Sequence, residues 1–358
     1  MQWGRRFLPD AGEVRPEVLP ELSQQNLAPD AVEELLALAQ PRLQALFRTA
    51  EPIALLSAPA GMMREIGLRA AIEHRVLALI AGPQSAALAD TAESLGAEVI
   101  RMFVHPGQTP EPEQLERFLA SPSVDSVALV HVEPGTGTLA PLAELARVVR
   151  ARRDLVLFVD ASHSLGAAPL ETDAWGLDFV LGTSDGPLAL PPGLSFAAAS
   201  SRLIARTRGL TGRGVLLDFL SHQAAAAEGT LLAPIDPHQA VALDRQLARI
   251  EREGLTNRWA RHQAMADEIA VWVGNRSDVT FVARAGRRSP VVSCLTLPSR
   301  VTGSIVAESL LRQGWTVAVG DRPESASIIR IGHMGEVGLA ELRGLLTALE
   351  QVLDGGGG

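Results

Sequence analysis

Lysine is missing altogether: every one of the 32 Lys+Arg positions is arginine. No side chain therefore carries a primary amine, which excludes any chemistry that needs a lysine imine with a carbonyl compound. Tyrosine is absent as well, and asparagine occurs only at Asn26, Asn257 and Asn275. These three residues share A/T-rich codons, so a G/C-rich genome accounts for part of the pattern. Composition bias thins residues from surfaces; it does not readily remove one whose chemistry is indispensable. The single cysteine, Cys294, excludes an internal disulfide and a multi-cysteine metal site. It lies in the strand-like run VVSCLTL and reads as an inert buried thiol. No apolar run approaches the roughly 20 residues that span a bilayer, and MQWGRRFLPD lacks the apolar stretch of a signal peptide. The expectation is a soluble cytoplasmic protein without membrane contact. A net charge of −9 with scattered arginines argues against nucleic acid as a partner. The eight histidines form no HExxH pair, and neither G-x-G-x-x-G nor a Walker loop occurs, so metal and nucleotide sites have no support.

What is present is an alternation of apolar runs and helical segments. After an N-terminal stretch read as irregular, strands are expected at residues 53–56, 76–80, 97–103, 124–132, 155–160, 177–183 and 194–200. Helical patterns fall at 61–73, 83–96 and in PLAELARVVRARR, whose proline suits a first turn. Continuous apolar strands separated by helices predict an α/β fold with a mainly parallel sheet covered on both faces. From residue 238 to about 273 the pattern is helical, with Gly254 as a possible break. Strand-like VTFVA, VVSCLTL, WTVAVG and SIIRIG then interleave with two helices, the pattern of a smaller C-terminal α+β domain. The expected division is a large domain over 14–237, a small one over 238–353 with residues 1–13 packed on it, and a glycine-rich disordered tail over 354–358.

Ligands of open α/β sheets sit outside the carboxyl ends of the strands. That directs attention to His131-Val132-Glu133, to Asp160 and to Ser184-Asp185-Gly186. At these positions the sequence resembles the class V aminotransferases, especially the alanine–glyoxylate and serine–glyoxylate branch. The resemblance runs over most of the chain and is most specific in VDASHSLGAAPLETDAWGLDFVLGTSDGPLALPPGL (159–194) and IIRIGHMGEVGLAEL (328–342). It implies a pyridoxal-phosphate fold, a large cofactor domain, a small domain and a dimer with active sites at the interface. Asp160 matches the aspartate that pairs with the pyridine nitrogen, Arg330 the arginine that grips a substrate carboxylate, and Ser57, Ser162 and Ser184 fall in cofactor-binding stretches. Outside the resemblance, Asp160 reads as a strand-end cap, though the motif favours the inherited role; Arg330 reads equally as a member of an internal ion pair, and Glu133 as a structural hydrogen-bonding residue.

The departures are more telling. The family loop reads about S-Q-K-G-L-M-L-P-P-G-L; here it reads S-D-G-P-L-A-L-P-P-G-L, which places Gly186 at the lysine position. The family's phosphate cup reads about T-G-S-G-T-G-A-M-E, against S-A-P-A-G-M-M-R-E at residues 57–65. Pro59 has no N–H to offer a phosphate. Gly82 is followed by Pro83 where a stacking aromatic is expected.

The expectation is thus a class V aminotransferase-like protein with no catalytic residue at position 186 and no covalently held cofactor. Pyridoxal or pyridoxamine phosphate would at most bind non-covalently. The chain is expected to act as a homodimer or as the partner of a lysine-bearing paralogue, with an amino or keto acid as small ligand. Residual transaminase activity on non-covalent cofactor is the alternative. A serine–histidine–aspartate site built from Ser162 or Ser184 with His163 and Asp160 is a third reading, without a G-x-S-x-G elbow to support it. The apolar stretch GVLLDFL (214–220) reads either as an obligate interface or as ordinary core.

Overall fold

A computed structural model describes residues 5–9, 29–120, 123–211, 213–320 and 325–355. Residues 1–4, most of the expected 1–13 segment and the tail from 356 lie outside the described residues.

The chain opens with β1 (Arg5–Phe7) and α1 (Pro29–Phe47). It continues through β2 (Ala54–Leu56), α2 (Ala60–Ala71), β3 (Arg75–Ile80), α3 (Pro83–Ser94), β4 (Glu98–Phe103), α4 (Pro112–Leu119) and β5 (Ser126–Val130). A hairpin of β6 (Val132–Glu133) and β7 (Thr138–Leu139) leads to α5 (Leu142–Arg150), β8 (Val156–Asp160), α6 (Thr172–Trp175), β9 (Phe179–Thr183) and β10 (Ser195–Ala199). Four helices follow: α7 (Ser201–Thr207), α8 (Phe219–Ala227), α9 (Pro237–Glu253) and α10 (Leu255–Gly274). The C-terminal part adds β11 (Thr280–Phe281), β12 (Val292–Thr296), α11 (Gly303–Arg312), β13 (Trp315–Val319), β14 (Ile328–Gly332) and α12 (Leu339–Asp354).

Seven strands form the large sheet in the order β2-β10-β9-β8-β5-β3-β4. The pairs β3–β4, β3–β5, β5–β8 and β8–β9 are parallel, whereas β10 runs antiparallel to both β9 and β2. Only a short loop joins β9 to β10, and a parallel return would need a crossover of a dozen or more residues. The long apolar run at 124–132 is divided because the chain leaves the large sheet at His131 to form the β6–β7 hairpin. The smaller sheet has the order β1-β13-β14-β12-β11, with β1 parallel to β13 and the other pairs antiparallel.

The stretch before β2, read as irregular, contains the 19-residue helix α1. Pro41 lies inside it, yet Leu36, Ala39, Leu43, Leu46 and Phe47 recur at helical spacing and are buried. These residues pack with Ala240, Leu243, Leu247 and Ile250 of α9 in the core of the large sheet. Met265, Ile269 and Val273 of α10 instead join Phe7, Leu295 and Ile329 over the small sheet. The change of core falls at Gly254, between α9 and α10. Gly254 carries φ +79°, a left-handed value that frees the chain to turn between the two helices.

Among the described residues, no helix is long and apolar enough to cross a membrane.

Candidate functional site

Helix α2 lies directly on the large sheet. Its Gly67 makes this possible: a Cβ there would stand 2.3 Å from the Phe179 ring. The rings of Phe158 and Phe179 stack beneath it at 5.1 Å. Three residues before Gly67, Arg64 leans back toward the start of its helix, as helical side chains do. This brings its guanidinium to the carboxyl end of β8.

There it meets Asp160. Oδ2 of Asp160 accepts hydrogen bonds from Arg64 Nε at 3.0 Å and Nη2 at 2.8 Å, with Gln84 Nε2 further off at 3.4 Å. Oδ1 accepts from the backbone N–H of Ser162 at 3.0 Å and, at short range, from the Ser162 hydroxyl. The carboxylate is fully enclosed, while the Arg64 side chain keeps 14% of its surface exposed. Burial alone would push Asp160 up, but the Arg64 charge and the Ser162 hydrogen bonds outweigh it and hold the carboxyl below its ordinary value. Arg64 was not singled out in the sequence, although it stands in the divergent MMREIG segment.

The other expected residues lie around this pair or apart from it. Ser162 is spent on Asp160. Its hydroxyl lies 3.5 Å from His163 Nδ1, so the serine bonds the aspartate directly and no histidine stands between them as a base. Ser184 donates to Pro191 O at 2.8 Å and accepts from Leu194 N at 3.1 Å, pinning the two ends of the β9–β10 loop. Ser57 is exposed, with Gln239 Oε1 at 3.5 Å. Arg330 is buried on β14, where its Nε donates to Val319 O at 2.9 Å. Glu133 caps α3: its oxygens accept from Gln84 N at 3.0 Å, Ser85 N at 2.9 Å and Ser85 Oγ at 2.8 Å. His131 bonds Ser164 Oγ at 2.9 Å, and burial depresses its pKa to about 4, so it is neutral near pH 7. Cys294 is buried, with Pro134 O at 3.4 Å from its sulfur.

Gly186 opens a single 3₁₀ turn (Gly186–Leu188). It adopts φ +60°, and Ala189 follows at +54°. A Cβ at 186 would lie 3.3 Å from Met334 Sδ and 3.8 Å from Ser162 O, so this position does face the Asp160 turn. The loop is fastened from below by Arg258, which is wholly buried. Arg258 Nη2 donates to Pro187 O at 2.8 Å, and Nη1 to Glu253 Oε2 at 2.8 Å and Glu336 Oε1 at 2.9 Å. Sequence reading missed this network, because its members lie 71 and 78 residues apart along the chain. Among the described residues no cluster of three or more metal-ligating side chains occurs. A cavity of about 620 Å³ lies at the opposite, amino ends of the strands, where Arg75 and Arg206 are paired with Glu98 and Asp125.

Strand order, the Asp160 turn and the 186–194 loop together have the layout of one family, and the class-V aminotransferase model matches residues 73–335. The chain belongs to the class-V aminotransferases. It is 27% identical over 306 residues to the 2-aminoethylphosphonate–pyruvate transaminase of Vibrio vulnificus, covering 83% of this chain and 82% of that one. It is 25% identical to the serine–glyoxylate aminotransferase of Methylorubrum extorquens, covering 78% and 72%. The crystal structure of alanine–glyoxylate aminotransferase from Nostoc sp. superposes with a TM-score of 0.92 at 27% identity, covering 99% of this chain and 96% of that one.

Position 186 carries no side-chain amine, Oδ2 of Asp160 is bonded by Arg64, and α2 begins after Pro59 with no side-chain cap.

Proposed function

We propose that this class-V aminotransferase is a degenerate paralogue that has given up covalent cofactor chemistry and serves as a partner subunit or a non-covalent binder of amino or keto acids. One observation carries the reading: the residue facing the Asp160 turn where the family lysine belongs is glycine, in a chain with no lysine to substitute for it. Neither glycine nor the adjacent Asp185 can form an imine or shuttle a proton through an amine, and general acid–base help of that kind is worth roughly a hundredfold to ten-thousandfold. The cofactor-type cleft is thereby freed from the family's reaction.

A partner role is supported by the surface beside α2. Val215 and Leu216 are 66% and 61% exposed, and Met62 at the start of α2 is 42% exposed. Phe219 of the same apolar stretch is buried, so the stretch is divided between core and surface. Helix α8, which follows it, packs on α2. Exposed apolar groups of this kind suit a subunit contact, with a second copy or a lysine-bearing relative across it. Residual transamination on non-covalent pyridoxamine phosphate is the weaker reading, because Arg64 already neutralises Asp160.

The experiment is borohydride reduction of the purified chain with pyridoxal phosphate, followed by peptide mass mapping. No internal peptide is expected to carry a stoichiometric adduct. A fixed adduct on an internal side chain, or turnover at rates ordinary for the family by the pure chain, would overturn the proposal. Co-purification with a lysine-bearing homologue would support the partner role over the binder role.

A further inference from the structure

We infer that the cavity between α3, the end of β4 and the small sheet is a binding site for a neutral, apolar small molecule built on a ring or a fused pair of rings. The inference goes beyond the fate of the cofactor, because neither Asp160 nor Gly186 is among the described residues that line this cavity.

The cavity encloses about 380 Å³, within the roughly 300–1,000 Å³ of small-molecule pockets. Pro83 and Ala86 of α3 form one wall, and Phe103 of β4 with the adjoining Val104 forms another. Val282, just after β11, and Ile328 of β14 close it from the side of the small sheet. Close backbone contacts fix these walls. Gly135 lets the β6–β7 turn abut α3, since a Cβ there would stand 2.5 Å from Pro83 Cδ. Gly107, at φ +78°, lies against Val282, and its carbonyl accepts from Arg284 N at 2.8 Å. That contact ties the loop after β4 to the segment after β11. The space is formed before a ligand arrives, so binding does not have to order the chain first.

Phe103 sets this cavity apart from a packing fault. It is 70% exposed, whereas Phe7, Phe47, Phe158, Phe179, Phe196 and Phe219 are buried. Its ring also borders a second cavity, beside Phe118, which is 39% exposed. An aromatic face on the wall of an apolar cavity gives a ligand ring a surface to pack on.

Charge selects the class of ligand. None of the described residues lining the cavity carries a charge. Thr136 Oγ1 is shared with Thr138 Oγ1 at 3.0 Å and Ala81 O at 3.4 Å, and Ser325 is likewise engaged. The start of α3, a natural place for an anion, is closed. Pro83 has no N–H, and those of Gln84 and Ser85 are given to Glu133. A carboxylate, phosphate or ammonium entering here would lose its water without gaining a partner. A hydrocarbon or aromatic ring gains by leaving water. The cavity is thus distinct in chemistry from any amino- or keto-acid site.

The test uses a pair of fluorescent probes on one ring framework: neutral phenylnaphthylamine, and anilinonaphthalene sulfonate, which adds a negative charge. Each is titrated into the purified full-length chain. The neutral probe is expected to bind at a single site and the sulfonate about tenfold more weakly or worse, the cost of an unpaired charge. Ala86→Phe fills the cavity from α3 and should weaken the neutral probe by about tenfold. Phe103→Ala removes the aromatic wall and should weaken it by about threefold. V215S/L216S should leave binding unchanged, which separates the cavity from the exposed apolar surface beside α2. Unfolding midpoints identify the folded variants, and Val282→Phe replaces A86F should the latter fail to fold. The inference is overturned if the neutral probe does not bind, if the sulfonate binds as tightly, or if a folded cavity-filling variant binds like the wild type. It also falls if F103A dissociates an oligomer of the wild-type chain, because a second copy would then cover Phe103. None of these outcomes touches the borohydride result, so the two proposals fail separately.

Discussion

Two arginine–carboxylate sites among the described residues, one around Arg258 and one around Arg64, are built differently. Arg258 sits with no exposure between the two sheets and divides its donors among the end of α9, the 333–337 segment and the 186–188 turn. Burial would push Glu336 up, but Arg258, Gln246 and Arg261 outweigh it and hold the carboxyl below its ordinary value. Arg64 spends Nε and Nη2 on one oxygen of one residue and stays partly exposed. The first arrangement is a knot: removing its centre strands several groups at once. The second is a plug: removing it strands one carboxylate whose other oxygen is still satisfied. Depth and number of partners, rather than the chemistry of the pair, separate an arginine whose loss strands several groups from one whose loss strands a single carboxylate.

The sharpest way to break this comparison is Arg258→Met. It leaves Glu336 and Glu253 without their shared cation and Pro187 O without its donor. The cost should reach about 5 kcal/mol, the upper end for breaking a buried pair, read as a fall in the urea midpoint. Arg64→Ala should cost less, about 3 kcal/mol at pH 7, and its pH dependence is distinctive. In the wild type the folded Asp160 pKa is depressed, so its contribution is present above the unfolded value of 3.8 and lost as pH falls through the folded one. Without Arg64, burial raises the Asp160 pKa and the sign reverses, so the variant regains stability as the pH falls. The gap between wild type and R64A should narrow from pH 7 to pH 5 in denaturant titrations, and a constant gap would argue against an ionised Asp160. The smallest effect is expected for Gly186→Lys, about 1–2 kcal/mol for a side chain in the left-handed region. Restoring the amine alone should give no borohydride adduct at 186.

Much of the architecture could be read directly along the chain. Apolar runs such as VLALI and LVLFVD marked the buried strands, because a strand covered on both faces must be apolar throughout. The reading failed where local rules conflicted with packing. The N-terminal stretch read as irregular is held as helix α1 against α9 although it contains Pro41, and the mainly parallel sheet admits β10 as an antiparallel strand because the loop before it is too short for a crossover. At the candidate site, the place of Asp160 at the end of β8 and of Gly186 in the loop after β9 could be anticipated from the strand pattern. That of Arg64 could not, since an arginine in the first turns of an exposed-looking helix is usually solvated.

Composition alone decided that this chain has no lysine, hence no side-chain amine for an imine anywhere in the fold, because covalent chemistry depends on which atoms exist. Where the surviving charges went was decided only in three dimensions. Arg64 and Asp160 are 96 residues apart in sequence and became partners because Gly67 lets α2 settle against the Phe158–Phe179 pair. An ion pair of that range follows from helix-on-sheet packing, and no local pattern in the chain encodes it.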